Sequence, residues 1–388
     1  MDFDLTEEQL MVREMTRAFV EKEVEPIASR LDREGTYPAE LVKRLGELGL
    51  MGMSVPQEYG GPGMDFVSGV VAMEEISKAW ASLAVAMSVQ NSLVCAPIVR
   101  FGTEVQKEQY LAPSARGERL GCYALTEPGS GSDAGSIQTR AKKDGNDFVL
   151  NGNKVFTTGG NRADLAIVYA VTDPGQGKRG ISAFIVETNS PGFVAGKLED
   201  KLGLRSSDTA SLLFEDCRVP RQNLLGTEGE GFRIALATLD GGRIGIAAQA
   251  LGIAQGCLEE SVAYAQQRRQ FGRAIAEFEA IQWMLADMAT EIDAARLLTY
   301  RAAWLAQQGR TFTTEAAMSK LFASEAANRA AYKAVQIFGG YGYTKEFNVE
   351  RFFRDARITT LYEGTSEIQR LVIARHLLYG EEIAHEIH

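Results

Sequence analysis

The feature that most constrains the fold is a hydrophobic period that changes twice along the chain. Residues 1–117 carry helical spacing. Thr6-Glu7-Glu8-Gln9 has capping-box spacing, and Leu5 and Leu10 flank it as a hydrophobic staple would; Met11, Met15, Ala18 and Phe19 then recur at helical intervals. The turn-rich "MSVPQEYGGPG" interrupts this pattern, and the apolar stretch from Val67 to Arg100 predicts buried helix. From Gly121 the period shortens. "DGNDFVLNGNKVFTTGG" alternates and holds turn signals at Asp144-Gly145 and Asn151-Gly152, while "ADLAIVYAVTD" and "GISAFIVET" are short β-branched runs. Helical spacing returns after "GTEGEGF". Ile281, Met284, Leu285, Met288, Ile292, Ala295 and Leu298 form one stripe, Met318, Leu321 and Phe322 start another, and a last helix runs from about Ser366 to Tyr379. The chain therefore reads as α+β: an N-terminal helical domain (1–117), a middle antiparallel β-domain (118–226) and a C-terminal four-helix bundle (227–388).

Composition narrows the chemistry. A net charge of −10 over 388 residues, with no basic stripe, argues against nucleic acid as a partner. Cys95, Cys122, Cys217 and Cys257 are far apart and form no C-x-x-C pair, so neither a zinc site nor a disulfide framework is expected, and a reducing compartment follows. The start, "MDFDLTEEQL", lacks a basic n-region and an apolar h-region, and no apolar run approaches the ~18 residues of a membrane span. The expectation is a cytoplasmic protein with no membrane span. The 3 histidines are His376, His385 and His388, all near the end. A histidine base or metal centre is therefore not expected. "AHEIH" has H-x-x-H spacing rather than H-E-x-x-H and reads as a tail. A base in this chain should be a carboxylate.

Several stretches offer chemistry. "ALTEPGSGSDAGS" (124–136) gathers glycines and hydroxyls that suit either a surface loop or a phosphate cradle; its spacing is not the dinucleotide fingerprint. "KVFTTGG" (154–160) puts an aromatic and hydroxyls at a strand end, where they suit an ordinary strand end or the wall of a planar ring. "QQRRQFG" (266–272) offers a surface charge pair or a phosphate partner. "QIFGGYGY" (336–343) has more glycine than a helix cap needs, which points to close approach of a ligand or second subunit. In "LDGGRIGIAAQALGIAQG" (239–256) the later glycines read as tight helix packing, while Asp240 and Arg243 are charged groups opening an apolar stretch. In "LYEGTSEIQR" (361–370), Glu363 stands before a Gly-Thr-Ser turn, as a solvated charge or as a carboxylate that glycine leaves open to a ligand.

In this order, "YALTEPGSGSDAGS", "KVFTTGG", "LDGGRIGIAAQALGIAQG", "RRQFG", "QIFGGYGY", "RDARI" and "YEGTSEIQR" resemble the acyl-CoA dehydrogenases along nearly the whole chain, closest to the short-chain, butyryl-CoA type. The resemblance implies FAD, an acyl-CoA substrate, an electron-transferring flavoprotein as acceptor and a homotetramer (a dimer of dimers). It implies that Glu363 removes the Cα proton while a hydride leaves Cβ for flavin N5. Mapped residue by residue, it implies cofactor contacts from Tyr123, Leu125, Thr126, Gly131, Ser132, Phe156, Thr158, Thr365, Ser366 and Glu367. Arg268, Phe271, Gln336, Gly339 and Gly340 would hold a partner subunit's FAD. Ser132, Asp240, Arg243 and Gly364 would meet the substrate. Burial of Glu363 would raise its basicity, and Ser366 and Gln369 have capping-box spacing that would fix the turn. Branches that carry the base elsewhere match Gly242 here, and the arginine of glutaryl-CoA dehydrogenases matches Ala84. Glu279 replaces a glutamine near the FAD phosphates. An oxidase that passes electrons to oxygen, or a non-catalytic relative serving as an assembly protein, are the competing readings; Glu363 speaks against the second.

Overall fold

The computed structural model describes residues 3–384, so His385 and His388 of the expected tail lie outside the described residues. The N-terminal helices are α1 (Glu7–Phe19), α2 (Glu25–Glu34), α3 (Ala39–Glu47), α4 (Phe66–Ala79), α5 (Ala81–Ser88), α6 (Ala96–Phe101), α7 (Glu104–Gln106) and α8 (Ala112–Ala115). The capping box forms as expected: Gln9 N donates to Thr6 Oγ1 at 3.3 Å and Thr6 N to Gln9 Oε1 at 3.0 Å. Three π turns, at Val20–Val24, Val89–Cys95 and Lys107–Leu111, each lead into a helix with proline in its first turn: Pro26, Pro97 and Pro113. Proline has no N–H to donate and crowds the carbonyl one turn back; a widened turn accommodates both effects without breaking the rod.

One consequence corrects the sequence reading. The rod Ala81–Phe101, 21 residues, is the one helix among the described residues long and apolar enough to cross a membrane. Ser82, Ser88, Gln90 and Asn91 break the run in sequence without making the helix polar on average. Most of it, 72%, is buried inside the fold. Gln90 Nε2 donates to Ser114 O at 2.9 Å and Asn91 Nδ2 to Leu50 O at 2.7 Å, so both amides find partners within the protein, while the Ser82 and Ser88 hydroxyls are buried without one.

The middle section is β1 (Gly121–Ala124), β2 (Arg140–Asp144), β3 (Asp147–Thr158), β4 (Leu165–Val171), β5 (Ile181–Glu187), β6 (Phe193–Leu198), β7 (Thr209–Pro220) and β8 (Leu224–Leu225), ordered β6-β7-β3-β2-β4-β5-β8. Its pairings are antiparallel except that β1 lies parallel to β4 and β2 meets β4 in parallel at one position. The β2–β3 hairpin between β1 and β4 supplies the long crossover that a parallel pair needs. Asp144-Gly145 is the hairpin turn, as expected. Asn151-Gly152 is not a turn. The register against β7 shifts there, and a Cβ at Gly152 would lie 2.4 Å from Thr139 Oγ1, so the glycine marks close backbone approach at a bulge.

The C-terminal section contains α9 (Gly231–Gln267), a short hairpin of β9 (Arg269–Gln270) and β10 (Arg273–Ala274), then α10 (Glu279–Gln307), α11 (Thr313–Phe338), α12 (Val349–Ala356) and α13 (Ser366–Ala384). The small residues of α9 let α4 approach: a Cβ at Gly252 would sit 2.4 Å from Glu74 O, and one at Gly256 2.6 Å from Lys78 O. Ile244 and Ala248 of α9 and Ala302 and Ala303 of α10 share a buried cluster with Trp80, Leu83 and Ile76. The two helical sections thus form one core although the β-section separates them in sequence. The four cysteines are buried free thiols.

Candidate active site

A cavity of about 1060 Å³ opens where α9, the start of α13 and the β-section meet the rod Ala81–Phe101. Val85, Val89 and Leu93, spaced one turn apart, form one wall. Leu125, Thr126, Gly131, Ser132, Phe156 and Thr158 line the β side, with Tyr123, and Arg243, Glu363, Gly364 and Thr365 the helical side. Lys178, Lys201, Arg357 and Arg375 also line it, a set of cations suited to a phosphate-bearing ligand.

The loop 124–136 is braced. Glu127 Oε1 accepts from Thr139 N at 3.0 Å and from Lys154 Nζ at 2.7 Å, and Glu127 Oε2 accepts from Gln138 N at 2.6 Å. Lys154 is fully buried and also donates to Leu125 O at 3.0 Å. Burial lowers the Lys154 ammonium to about 8, against the opposing pull of Glu127. This brace holds the Leu125–Thr126 backbone at the cavity edge, while a Cβ at Gly129 or Gly131 would meet open space. Phe156 sits at a second register shift between β3 and β7, with φ of +56° and 67% of its surface exposed. The bulge re-aims an aromatic face along the cavity instead of into the sheet.

Glu363 follows the turn Arg357–Thr360 after α12. Its φ is +51°, and Gly364 continues at +89°. A side chain at 364 would lie 2.7 Å from Gln369 Nε2, so the turn itself requires glycine. Gln369 Nε2 donates to Glu363 O at 3.2 Å and Gly364 O at 2.9 Å, and Lys320 Nζ donates to Gly364 O at 2.6 Å. The expected Ser366–Gln369 capping box does not form. Thr365 Oγ1 caps the helix instead, at 3.4 Å from Ile368 N, because the Gln369 amide is already engaged by the turn carbonyls.

The carboxylate points at α9. Glu363 Oε2 is buried without a hydrogen-bond partner, and a Cβ at Gly242 would lie 2.0 Å from it. Only glycine at 242 is compatible with a carboxylate so placed. Burial pushes the Glu363 carboxyl up to about 7, with Lys320 and Arg243 pulling it back down. Arg243 Nη1 donates to Asp240 Oδ1 at 2.7 Å, while its Nε is buried and unpartnered. Asp240 Oδ2 accepts from Thr313 Oγ1 at 2.6 Å, so both oxygens of Asp240 are engaged within the protein.

The remaining candidates separate from this cavity. Glu367 is exposed in the first turn of α13. Arg268, Phe271, Gln336, Gly339 and Gly340 gather at another surface. The Arg268 guanidinium lies 5.5 Å from the Tyr341 ring centre, Phe271 is 92% exposed, and Gly339, at φ +60°, ends α11. Glu279 is exposed at the first residue of α10, where its charge favours the helix start. Ala84 is buried in the helical core and does not line the cavity. Sequence reasoning missed Lys320 and the Glu127–Lys154 pair, and it gave Gln369 a capping box where the amide instead holds the Glu363 and Gly364 carbonyls. The available signal for Lys320 was a lysine on the buried stripe Ala316, Ala323 and Ala327.

Known proteins carry the same design. The chain matches the family models "Acyl-CoA dehydrogenase, N-terminal domain" over residues 6–118, the middle domain over 122–217 and the C-terminal domain over 229–378. It is 53% identical over 375 residues to the mitochondrial short-chain specific acyl-CoA dehydrogenase of Mus musculus, covering 97% of this chain and 91% of that one. Butyryl-CoA dehydrogenase from Megasphaera elsdenii superposes with a TM-score of 0.96 at 47% identity, over 97% of this chain and 100% of that chain. A chain solved in work on the electron transferring flavoprotein of Acidaminococcus fermentans superposes with a TM-score of 0.97 at 51% identity, over 98% and 100%. With three family models in register on this fold, the chain belongs to the acyl-CoA dehydrogenase family.

Proposed function

We propose that the protein oxidises a short-chain acyl-CoA to the trans-2-enoyl-CoA, with Glu363 as the base. The observation that carries this reading is the Glu363 carboxylate: its Oε2 is buried and unpartnered, and the half-buried residue lines a cavity bordered by an aromatic wall and hydroxyls. A carboxylate stripped of water gains basicity, and Oε2 has no hydrogen bond within the protein to give up. Glu363 Oε2 accepts the Cα proton of the thioester. Arg243, beside it, offers an unpartnered Nε to the polar arm of the substrate. Asp240 acts by holding Arg243 in place, its own oxygens being taken.

The cavity fits FAD. Phe156 offers a flat face, Thr126, Ser132 and Thr158 offer hydroxyls, and Gly131 leaves open space for close approach. FAD, when bound, supplies the acceptor for the hydride equivalent that leaves Cβ. Thr365 and Glu367, at the head of α13, are assigned to the same cofactor.

The acceptor protein is an electron-transferring flavoprotein, and the assembly is a homotetramer in which Arg268, Phe271, Gln336, Gly339 and Gly340 reach a partner's FAD. Phe271, Gln336, Gly339 and Gly340 are exposed and Arg268 is half-buried, all away from the cavity, which supports this placement. Light scattering that reads the mass of one chain would remove it. The working units are 1–117, 118–226 and 227–388, and the cytoplasm is the proposed location, checked by cell fractionation.

The test is a panel of acyl-CoA thioesters mixed anaerobically with the flavoprotein. Butyryl-CoA is expected to bleach the flavin fastest, with the rate falling as the acyl chain lengthens. Palmitoyl-CoA reacting as fast would overturn the short-chain assignment, and rapid hydrogen peroxide release in air would favour the oxidase reading.

A further inference from the structure

We propose that Lys320 is a positioning residue for proton abstraction: its ammonium pins the Glu363–Gly364 turn through the Gly364 carbonyl and keeps a positive charge beside the base. The proposal rests on the reading of Glu363 as the base.

Lys320 lies on α11 and is fully buried. Lysine is seldom buried without a strong reason, because desolvating an ammonium is costly. The surroundings explain what holds it. Lys320 Nζ donates to Gly364 O at 2.6 Å, and Gln369 Nε2 reaches the same carbonyl at 2.9 Å from the other side. Two donors from two helices thus converge on one carbonyl, directly after a residue held at φ +51°. A non-glycine residue in the left-handed region costs free energy and persists only where its surroundings over-determine it. The clamp fixes the direction of the Glu363 side chain toward Gly242.

A neutral donor would suffice for that task, as Gln369 demonstrates. The charge has a second effect. Lys320 and Arg243 are the cations whose fields favour ionised Glu363, with Tyr123 and Tyr362 as its other titratable neighbours. Lys320 in turn faces Glu363, Glu367 and Glu325, which favour its charge, and Arg243, which opposes it. Burial works against both members, pushing the carboxyl up and the ammonium down. Proximity to a cation offsets part of the desolvation and holds the carboxyl at about 7 instead of higher.

Lys320→Gln separates the two roles, since it retains a donor and removes the charge. Two readouts are compared with wild type: the pH profile of anaerobic flavin reduction by butyryl-CoA, and an infrared titration of the Glu363 carboxyl, its band assigned with Glu363→Gln. Losing a nearby cation disfavours the carboxylate, so both the acid limb and the infrared midpoint should move upward by about one pH unit or more. Lys320→Arg should leave both near wild type. Gln369→Leu should slow reduction without moving either. If Lys320→Gln slows reduction equally at every pH and leaves the infrared midpoint in place, the lysine only braces the turn and the proposal falls. Should Lys320→Gln not fold, a limb shifted upward in Lys320→Arg has the same overturning force. A Glu363→Gln protein that still reduces its flavin would instead overturn the base assignment, whatever Lys320 does.

Discussion

Glu363 is the residue where function and stability oppose each other. Its carboxyl has a folded value of about 7 against an ordinary 4.5, so the native state binds this proton more tightly than the unfolded chain does. Its contribution to stability is therefore full below the ordinary carboxylate range and is lost as pH rises through about 7, the reverse of a salt-bridged acid. At pH 8 a buried negative charge remains with Oε2 unpartnered. Glu363→Gln removes that charge without changing the shape. It should raise the stability of the FAD-free protein at pH 8 by about 1 kcal/mol, and the gain should shrink toward pH 5; paired denaturation curves at the two pH values check this. Equal stability at both pH values would mean the carboxylate is better solvated than its burial implies. The local pattern at position 363, a carboxylate before Gly-Thr-Ser, left a solvated charge and an accessible carboxylate both open, and the resemblance to the family chose between them. Its partner Lys320 was overlooked: its place on the alanine stripe of α11 signalled burial, but nothing local showed that the Gly364 carbonyl, 44 residues on, would receive it.

At the level of elements, the β-section depends on one buried ion pair. Lys154 on β3 holds both Glu127 and the Leu125 carbonyl, and Glu127 in turn holds the backbone of Gln138 and Thr139. Removing one member leaves the other charge buried and unpaired, which commonly costs about 3–5 kcal/mol. Lys154→Met should lower the denaturation midpoint by that order and release FAD, since the loop at the cavity edge loses its brace. A variant that keeps wild-type stability and FAD content would show the pair to be dispensable. Hydrophobic pattern identified strands and long helices: β3 alternates between buried and less buried positions, while β4 and β5 are continuous apolar runs buried on both faces. It did not reveal the irregularities. Asn151-Gly152 looks like a hairpin turn in one dimension, yet its glycine serves contact with Thr139 across the sheet. Ser366–Gln369 has capping-box spacing, yet Gln369 is drawn to carbonyls that only the folded turn presents. The π turns before Pro26, Pro97 and Pro113 were similarly invisible, although each proline marked its place.

Across the whole molecule, sequence order and spatial order diverge. Segments from all three sections meet at one cavity: Val85, Val89 and Leu93 from the first, Thr126 and Phe156 from the second, and Arg243 and Glu363 from the third. The layout of helices, sheet and helices was readable from the changing period; the shared core of α4 and α9, and the wall formed by Ala81–Phe101, arise only on folding. The resemblance to the family brought the site residues together as one set, and the fold divides them between the cavity and the exposed Arg268–Phe271–Gly339 surface. The central claim is that Glu363 abstracts the substrate proton inside the cavity. Anaerobic stopped-flow mixing of FAD-loaded Glu363→Gln with butyryl-CoA tests it most directly. The account predicts that the variant keeps its FAD and binds the thioester while flavin bleaching slows by a factor of about a thousand or more. Bleaching at a rate near that of the wild type would contradict it.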